Sequence, residues 1–443
     1  MKKIYIESLG CPKNTVDTEN VLGLIDEGFS YSDEPEMADY IIVNTCAFIH
    51  DAESESYAYV KQYADYRRDN PDLRVIVMGC LAQSQTERML NEYGVDAVLG
   101  TGSFHRVLDV LARLEKGERF FAVKDSIDTV FPILPRVVTT PEHFAYLKIA
   151  EGCDNRCTYC MIPSLRGKFR SRSIEEIVEE AMALDVEEVI LIAQDTSRYG
   201  VDLYGTPSLG ALLERLNEVP GIRWIRVHYL YPDILSKELI ETFFRLEKVV
   251  KYFDIPVQHV SDRILKLMNR RTSRRDIERV FQTIRGMEPI YGEASIRTTF
   301  IVGFPGETEE DFEQLLDFVD HHQINRLGVF TYSDMPNIPS YKLPNKVSQD
   351  VMDERRDRVM LMQQDKSFEL METFIGSVVE AVVEEYIEDE DLYVCRTVWD
   401  APEVDGELYV YAGVELCIGD FIRVKVTGNA EYDLVGEFYE YCE

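Results

Sequence analysis

Cys153, Cys157 and Cys160 stand in the run Glu151-Gly152-Cys153-Asp154-Asn155-Arg156-Cys157-Thr158-Tyr159-Cys160. Three thiolates can hold three irons of a 4Fe–4S cluster, which needs four ligands, and the fourth iron is then left for a non-protein ligand. A structural zinc site would need a fourth protein ligand, commonly from paired CxxC or CxxH units, and no further Cys or His lies close by in the sequence. An incidental metal loop is the plainer alternative. Cys11, Cys46 and Cys80 are far apart, yet each comes just after a β-rich apolar run: Ile4-Tyr5-Ile6, Ile41-Ile42-Val43 and Val75-Ile76-Val77. Parallel strands put their carboxyl ends on one edge of a sheet, where these thiols would converge. The plainer alternative is three unrelated buried thiols, since free Cys behaves as a small hydrophobe. Cys395, Cys417 and Cys442 lack ligand spacing and read as bystanders.

The elements that must position these thiols alternate between strand and helix over most of the chain. Residues 1–137 contain β-rich runs at Lys3 to Ser8, Asp39 to Thr45 and Arg74 to Met78, which predicts a doubly wound parallel α/β domain with right-handed crossovers. A linker containing Asp128, Pro132 and Pro135 follows. Residues 138–370 hold six strand candidates, starting near Phe144, Glu188, Trp224, Tyr252, Ser295 and Leu327. Six βα units suit a partial barrel better than a full one of eight, with chemistry at the carboxyl ends of the strands. Ser173 with Glu176, and Thr308 with Asp311, have the spacing of helix-starting capping boxes. Residues 371–443 change to short glycine-punctuated strands and predict a small antiparallel β-barrel.

At 443 residues two or three domains are expected. No run of eighteen uncharged apolar residues indicates a membrane span, and the start lacks the apolar stretch of a signal peptide, so a cytoplasmic protein is expected. In that reducing compartment clustered cysteines serve more often as metal ligands or reactive thiols than as disulfides. The formal charge of −33 argues against wholesale attraction to nucleic acid and suits a basic protein partner. Residues 371–443 carry nineteen acidic and three basic side chains, a net of −16, and so lack the basic stripe of an RNA-binding barrel. Basic runs occur at Arg166, Lys168, Arg170 and Arg172 and at Arg270, Arg271, Arg274 and Arg275. They read first as solvated faces and ion pairs, and second as contacts to a substrate carboxylate or ribosomal RNA.

The C-x3-C-x2-C spacing with an aromatic before its last cysteine resembles the radical S-adenosylmethionine superfamily. The resemblance implies that the open iron chelates the amino and carboxylate groups of S-adenosylmethionine, which the reduced cluster cleaves to a 5′-deoxyadenosyl radical. Ser8-Leu9-Gly10-Cys11-Pro12-Lys13-Asn14, Asn44-Thr45-Cys46 and Gly79-Cys80 are similar to the amino-terminal domain of the methylthiotransferases, and the terminal barrel is similar to a TRAM domain of OB-like architecture. The resemblance spans essentially the whole chain. It implies a second 4Fe–4S cluster on Cys11, Cys46 and Cys80 that carries sulfur to the substrate radical.

Two branches of that family differ in substrate. Cys11-Pro12-Lys13-Asn14, Gly152-Cys153-Asp154-Asn155-Arg156-Cys157 and Ile162-Pro163-Ser164-Leu165-Arg166-Gly167 resemble the branch that methylthiolates the β-carbon of an aspartate in small-subunit ribosomal protein twelve. The other branch modifies an adenosine of tRNA and more often has Gln-Met in place of Pro12-Lys13. The ribosomal branch has His more often than Asn at 155. The partners implied are a basic ribosomal protein within or near the ribosome and an electron donor such as flavodoxin or ferredoxin, with the enzyme a monomer away from membranes. Tyr159 resembles the aromatic that contacts the cofactor adenine. Alternation along Ser295 to Phe300 sends Ile296 and Phe300 to the helical layer and turns Arg297 inward, toward a cofactor or substrate carboxylate. Gly303 would let backbone approach the adenosine, Gln194 and Asp195 would hold the cofactor's amino group, and Gln258 its ribose. Ordinary barrel packing accounts for each of these equally well, and His259 reads as a satisfied polar residue. A non-catalytic iron–sulfur factor bound to the ribosome is the rival from another class, distinguished by whether S-adenosylmethionine is cleaved.

Overall fold

The computed structural model describes residues 1–26, 28–123 and 134–442. Of the linker residues, Asp128 and Pro132 lie outside this set and Pro135 within it.

The amino-terminal strands form an all-parallel sheet in the spatial order Ser30–Tyr31, Lys3–Ser8, Tyr40–Thr45, Arg74–Gly79, Ala97–Leu99, Phe120–Ala122. Ile41, Val43, Val75 and Val77 enter the apolar cluster on one face, and Tyr40, Ile42, Ile76 and Met78 that on the other. Alternating side chains buried on both faces are what a doubly wound sheet requires. Three strands beyond those read from the sequence, Ser30–Tyr31, Ala97–Leu99 and Phe120–Ala122, are only two or three residues long. Runs that short carry no periodicity.

The six central strands form as expected. Trp224–Val227, Glu188–Ile192 and Phe144–Lys148 make one parallel sheet, and Tyr252–Asp254, Ser295–Val302 and Arg326–Thr331 another. A parallel bridge between Ile225 and Val249 joins them into one curved partial barrel. Ile296 and Phe300 pack outward with Phe312 and Phe318 of the helix Glu309–His321. Both capping boxes read from the sequence are present, at Ser173 and Thr308, and Ser273 with Asp276 adds a third. The helix Pro12–Ile25 of the amino-terminal domain packs on the first barrel strand, where its Val16 joins Phe144, Tyr146, Ile190 and Ile192.

The carboxyl-terminal strands Val378–Ile387, Leu392–Thr397, Leu408–Tyr411, Phe421–Asn429 and Leu434–Tyr441 close into a barrel. It is not wholly antiparallel: Leu408–Tyr411 runs parallel to Leu434–Tyr441, and that pair helps complete the ring. This barrel covers the amino-terminal end of the central one. The first residues of four central strands each hold a partner on it: Glu188 with Arg396, Trp224 with Glu380, Tyr252 with Asp405 and Arg326 with Asp400. The carboxyl ends of the central strands, on the opposite face, are left to the cysteine loop and the amino-terminal domain. No helix among the described residues is long and apolar enough to cross a membrane.

Candidate active site between two cysteine triads

Lys3–Ser8, Tyr40–Thr45 and Arg74–Gly79 are neighbours, with Ser8 opposite Asn44 and Thr45 opposite Gly79. Cys11, Cys46 and Cys80 therefore leave the sheet at one level. The chain departs in opposite directions on either side of Lys3–Ser8, the switch point where open α/β sheets bind ligands. Gly10 and Gly79 both have φ +95°, and a Cβ on Gly10 would stand 2.7 Å from Cys46 Cβ and 3.1 Å from its Sγ. Only glycine allows that approach. The polar residues of the motifs tie the three loops together. Asn14 Nδ2 donates to Leu9 O at 2.8 Å and to Thr45 O at 3.1 Å, Asn44 Nδ2 to Asn14 O at 2.8 Å, and Thr45 Oγ1 to Met78 O at 2.6 Å.

The second triad occupies the loop after the first central strand. Cys153 N donates to Gly167 O at 3.1 Å, and Cys160 N to Cys157 O at 3.1 Å. The far side of the barrel grips the middle of the loop. Thr158 N donates to Met268 O at 3.0 Å, Thr158 Oγ1 to Leu267 O at 2.8 Å, and Asn269 Nδ2 to Arg156 O at 2.8 Å. Asn155 Nδ2 donates to Asp195 Oδ2 at 2.7 Å. The amide thus links the loop to the second strand's end. Tyr231 Oη lies 4.0 Å from Cys157 Sγ, with the Arg270 guanidinium 3.9 Å from the Tyr231 ring centre.

A buried ion network spans the gap between the triads. Arg166, six residues beyond Cys160, donates to Glu151 Oε2 at 2.9 Å, to Asp17 Oδ2 at 3.3 Å and to Asn14 Oδ1 at 2.7 Å. Lys148 pairs with both Asp17 and Glu151. Gln194 Nε2 donates to Glu151 Oε1 at 2.5 Å. Lys13 Nζ donates to Ala193 O at 3.0 Å and lies 4.4 Å from the centre of the Tyr229 ring. Burial acts against ionisation of Glu151, but Arg166 and Lys148 outweigh it and hold its carboxyl at about 2. Burial likewise acts to raise Cys11, yet Lys13 and Arg166 pull its thiol below the ordinary value.

Burial, reinforced by neighbouring thiols or carboxylates, pushes Cys46, Cys153 and Cys160 up to about 12. These are protonated thiols at neutral pH, and coordination to iron would be what deprotonates them. Among the described residues no three His, Cys, Asp or Glu side chains close on a single metal ion. Each triad supplies three thiols with no fourth protein ligand beside them among the described residues, the donor set that suits a multi-iron cluster with one open corner.

The remaining expected site residues divide. Tyr159, Gln194 and Asp195 all touch the cysteine loop or its anchors: Tyr159 lies between two loop cysteines with its Oη accepting from Arg270 at 3.4 Å, and the other two are bound to Glu151 and Asn155. Gln258 takes a left-handed φ of 71° and bridges Thr299 and Ile301 through its backbone. Arg297 does turn inward, but its guanidinium pairs with Asp254 at 3.0 Å and with Asp405 of the terminal barrel at 3.3 Å. A Cβ on Gly303 would lie 2.1 Å from Met352 Cγ, so its missing side chain makes room for the helix Gln349–Glu372. His259 is a satisfied polar residue at Nδ1, which accepts from Val260 N and Ser261 N at 2.9 Å each, while its Nε2 stands 3.5 Å from Glu307.

Of the basic runs, Arg166 forms the ion pairs that are one of the two roles expected, while it and Arg270 are buried at the site and lie on no solvated face. Sequence reasoning also missed Lys13, Asn14, Asp17, Lys148 and Glu151 as one network. A signal existed in the helix Pro12–Ile25, whose first two turns bury Lys13, Asn14, Asp17, Thr18 and Glu19. That many polar side chains directly after a cysteine imply something charged to bind.

The chain matches the family described as Radical SAM superfamily over residues 147–319, the uncharacterized protein family UPF0004 over residues 3–100 and the TRAM domain over residues 375–438. It is 45% identical to the ribosomal protein uS12 methylthiotransferase RimO of Clostridioides difficile (strain 630), covering 99% of each chain. Its identity to the protein of the same name from Petrotoga mobilis is 41%, covering 99% of this chain and 100% of the other. Among solved structures, the apo form of the cobalamin-dependent S-adenosylmethionine radical enzyme OxsB superposes with a TM-score of 0.53 at 11% identity, covering 82% of this chain. The chain spans 56% of that protein's length, and the likeness is one of fold. With identity of 41–45% over 99% of its length, the chain belongs to the uS12 methylthiotransferase family of radical S-adenosylmethionine enzymes.

Proposed function

We propose that this chain adds a methylthio group to the β-carbon of an aspartate in ribosomal protein uS12, with Cys11, Cys46 and Cys80 holding one 4Fe–4S cluster and Cys153, Cys157 and Cys160 the other. When bound, the clusters and S-adenosylmethionine supply the radical chemistry and the sulfur, and the protein positions and shields them. The observation that carries this reading is the buried network of Arg166, Asp17, Glu151 and Lys148, which ties a helix leaving Cys11 to a helix leaving Cys160. It joins the two cysteine loops of separate domains to each other.

Each group of residues has a definite task. The grip of Leu267, Met268 and Asn269 on the loop fixes the spacing of the barrel thiols. Glu151 anchors Lys148, Arg166 and Gln194 at the strand ends. Burial of the cysteines keeps water from a reactive centre. The acidic terminal barrel supports a basic protein over tRNA as substrate. Its place at the far end of the central barrel suits long-range attraction of a ribosomal protein better than contact with the target residue. An electron donor such as flavodoxin or ferredoxin, a cytoplasmic location and a monomeric enzyme complete the proposal.

The test is to incubate the iron-reconstituted protein with S-adenosylmethionine, reductant and either uS12 or tRNA, and to read both substrates by mass spectrometry. A methylthio group on an aspartate of uS12 is expected. Modification of tRNA alone would overturn the assignment.

A further inference from the structure

Two of the three buried cations between the triads are matched by carboxylates. Lys148 and Arg166 share Asp17 and Glu151. Lys13, among the described residues, has no carboxylate at ion-pair distance, and Cys11 and Glu151 attract it only from further off. It is 6% exposed, and among the described residues its ammonium donates only to Ala193 O, with the Tyr229 ring below it. An ammonium taken out of water is costly unless paired, and one backbone carbonyl replaces a small part of its hydration. The backbone is shaped to accept it: Ala193 follows the second central strand, and Tyr229, just beyond the third, holds a left-handed φ of 63°. Lys13 thus sits at the carboxyl ends of the barrel strands. It is close enough to Cys11 on one side and Cys160 on the other for its charge to act on both.

We infer that Lys13 receives the carboxylate of the target aspartate and so positions the adjacent β-carbon between the two triads. The inference rests on the uS12 reading above. A carboxylate is the ligand a buried, singly bonded ammonium lacks, and in the substrate it lies one bond from the carbon to be modified. Lys13 belongs to the amino-terminal domain and to the Cys11 triad, the sulfur-bearing side on that reading, which favours the substrate's carboxylate over the cofactor's. Lys13 is then a positioning residue that sets specificity for an acidic over an amide side chain.

The experiment uses the iron-loaded full chain as wild type, Lys13→Met and Lys13→Arg, against uS12 and against uS12 whose target aspartate is replaced by asparagine. Binding is measured by titration, product by mass spectrometry and iron by quantification. Wild type should prefer the aspartate form about 10- to 100-fold, the worth of one charge-assisted hydrogen bond. Lys13→Met should lose that preference while binding the asparagine form as before, with iron content unchanged and more 5′-deoxyadenosine formed per product. Lys13→Arg should keep part of the preference. Retained discrimination in Lys13→Met would overturn the inference. Loss of iron, or of S-adenosylmethionine affinity, in place of discrimination would assign Lys13 to a cluster or to the cofactor and overturn it equally. A wild type that binds and modifies neither form of uS12 would sink the functional reading itself.

Discussion

Replacing Arg166 with methionine isolates the interdomain network with little change in volume. The guanidinium makes charge-assisted contacts to Glu151, Asp17 and Asn14 from a position 1% exposed. Without it, Asp17 and Glu151 share Lys148 as their one remaining ion-pair partner among the described residues. Removing one partner of a buried ion pair costs about 3–5 kcal/mol, since the uncompensated charge stays buried, and methionine's flexibility keeps the cavity contribution small. At about 2 °C per kcal/mol for an unfolding unit near 250 residues, the first melting transition should fall by about 6–10 °C. Hydrogen exchange should rise in Pro12–Ile25 and Ile162–Arg166, the two helices the guanidinium joins, more than in the strands beneath. Adding Asp17→Asn removes the surplus carboxylate, so the double variant should recover about 1–3 kcal/mol relative to additivity. A melting point within about 1 °C of wild type would refute the claim that this network holds the two domains together. Strict additivity with Asp17→Asn would refute it as well.

Cys153→Ala should abolish cofactor cleavage and lower iron by about half of a two-cluster load, as quantified against wild type; loss of all iron would contradict two independent sites. Cys46→Ala should leave cofactor cleavage in place and block methylthiolation, so normal product by mass spectrometry would make Cys46 a bystander. Lysine at Glu385, Glu388, Asp389, Glu390 and Asp391, all exposed at the tip of the terminal barrel, should slow uS12 modification and reverse its salt dependence, because charge steers encounter over a Debye length of about 10 Å at 0.1 M. Glu384 is left out of that set because it pairs with Arg396 in the domain junction, and faster tRNA modification by the variant would favour the RNA-directed reading. Burial opposes ionisation of Glu188, but Arg396 and Arg226 outweigh it and hold the carboxyl below its ordinary value of 4.5. Its stabilising contribution is therefore full above that value and lost as pH falls below it. Melting curves of wild type and Glu188→Gln should differ at neutral pH and converge in acid, and a constant difference would refute the linkage.

Much of the site was legible because its signals are local. The spacing of Cys153, Cys157 and Cys160 places three thiols in one loop, and the strand periods before Cys11, Cys46 and Cys80 put three remote thiols on one sheet edge, since parallel strands share a direction. Alternation also turned Arg297 inward correctly, but could not show that Asp405, more than a hundred residues later, would claim its charge. The same holds for Arg166, which pattern alone assigns to a solvated face or an unnamed ion pair, while Asp17 and Glu151 from two different domains bury it. Gly303 stands out in the sequence, but only the fold shows that Met352 packs where its side chain would be. The acidity of residues 371–443 is a property of composition, whereas their position at the end of the barrel remote from the cysteines is set by Arg226, Arg326 and Arg396. Sequence determined which groups this protein carries and on which strand ends they emerge, because periodicity and spacing act over a few residues. Tertiary structure decided which charges meet, because burying an ion is favourable only where a partner, often far along the chain, arrives to neutralise it.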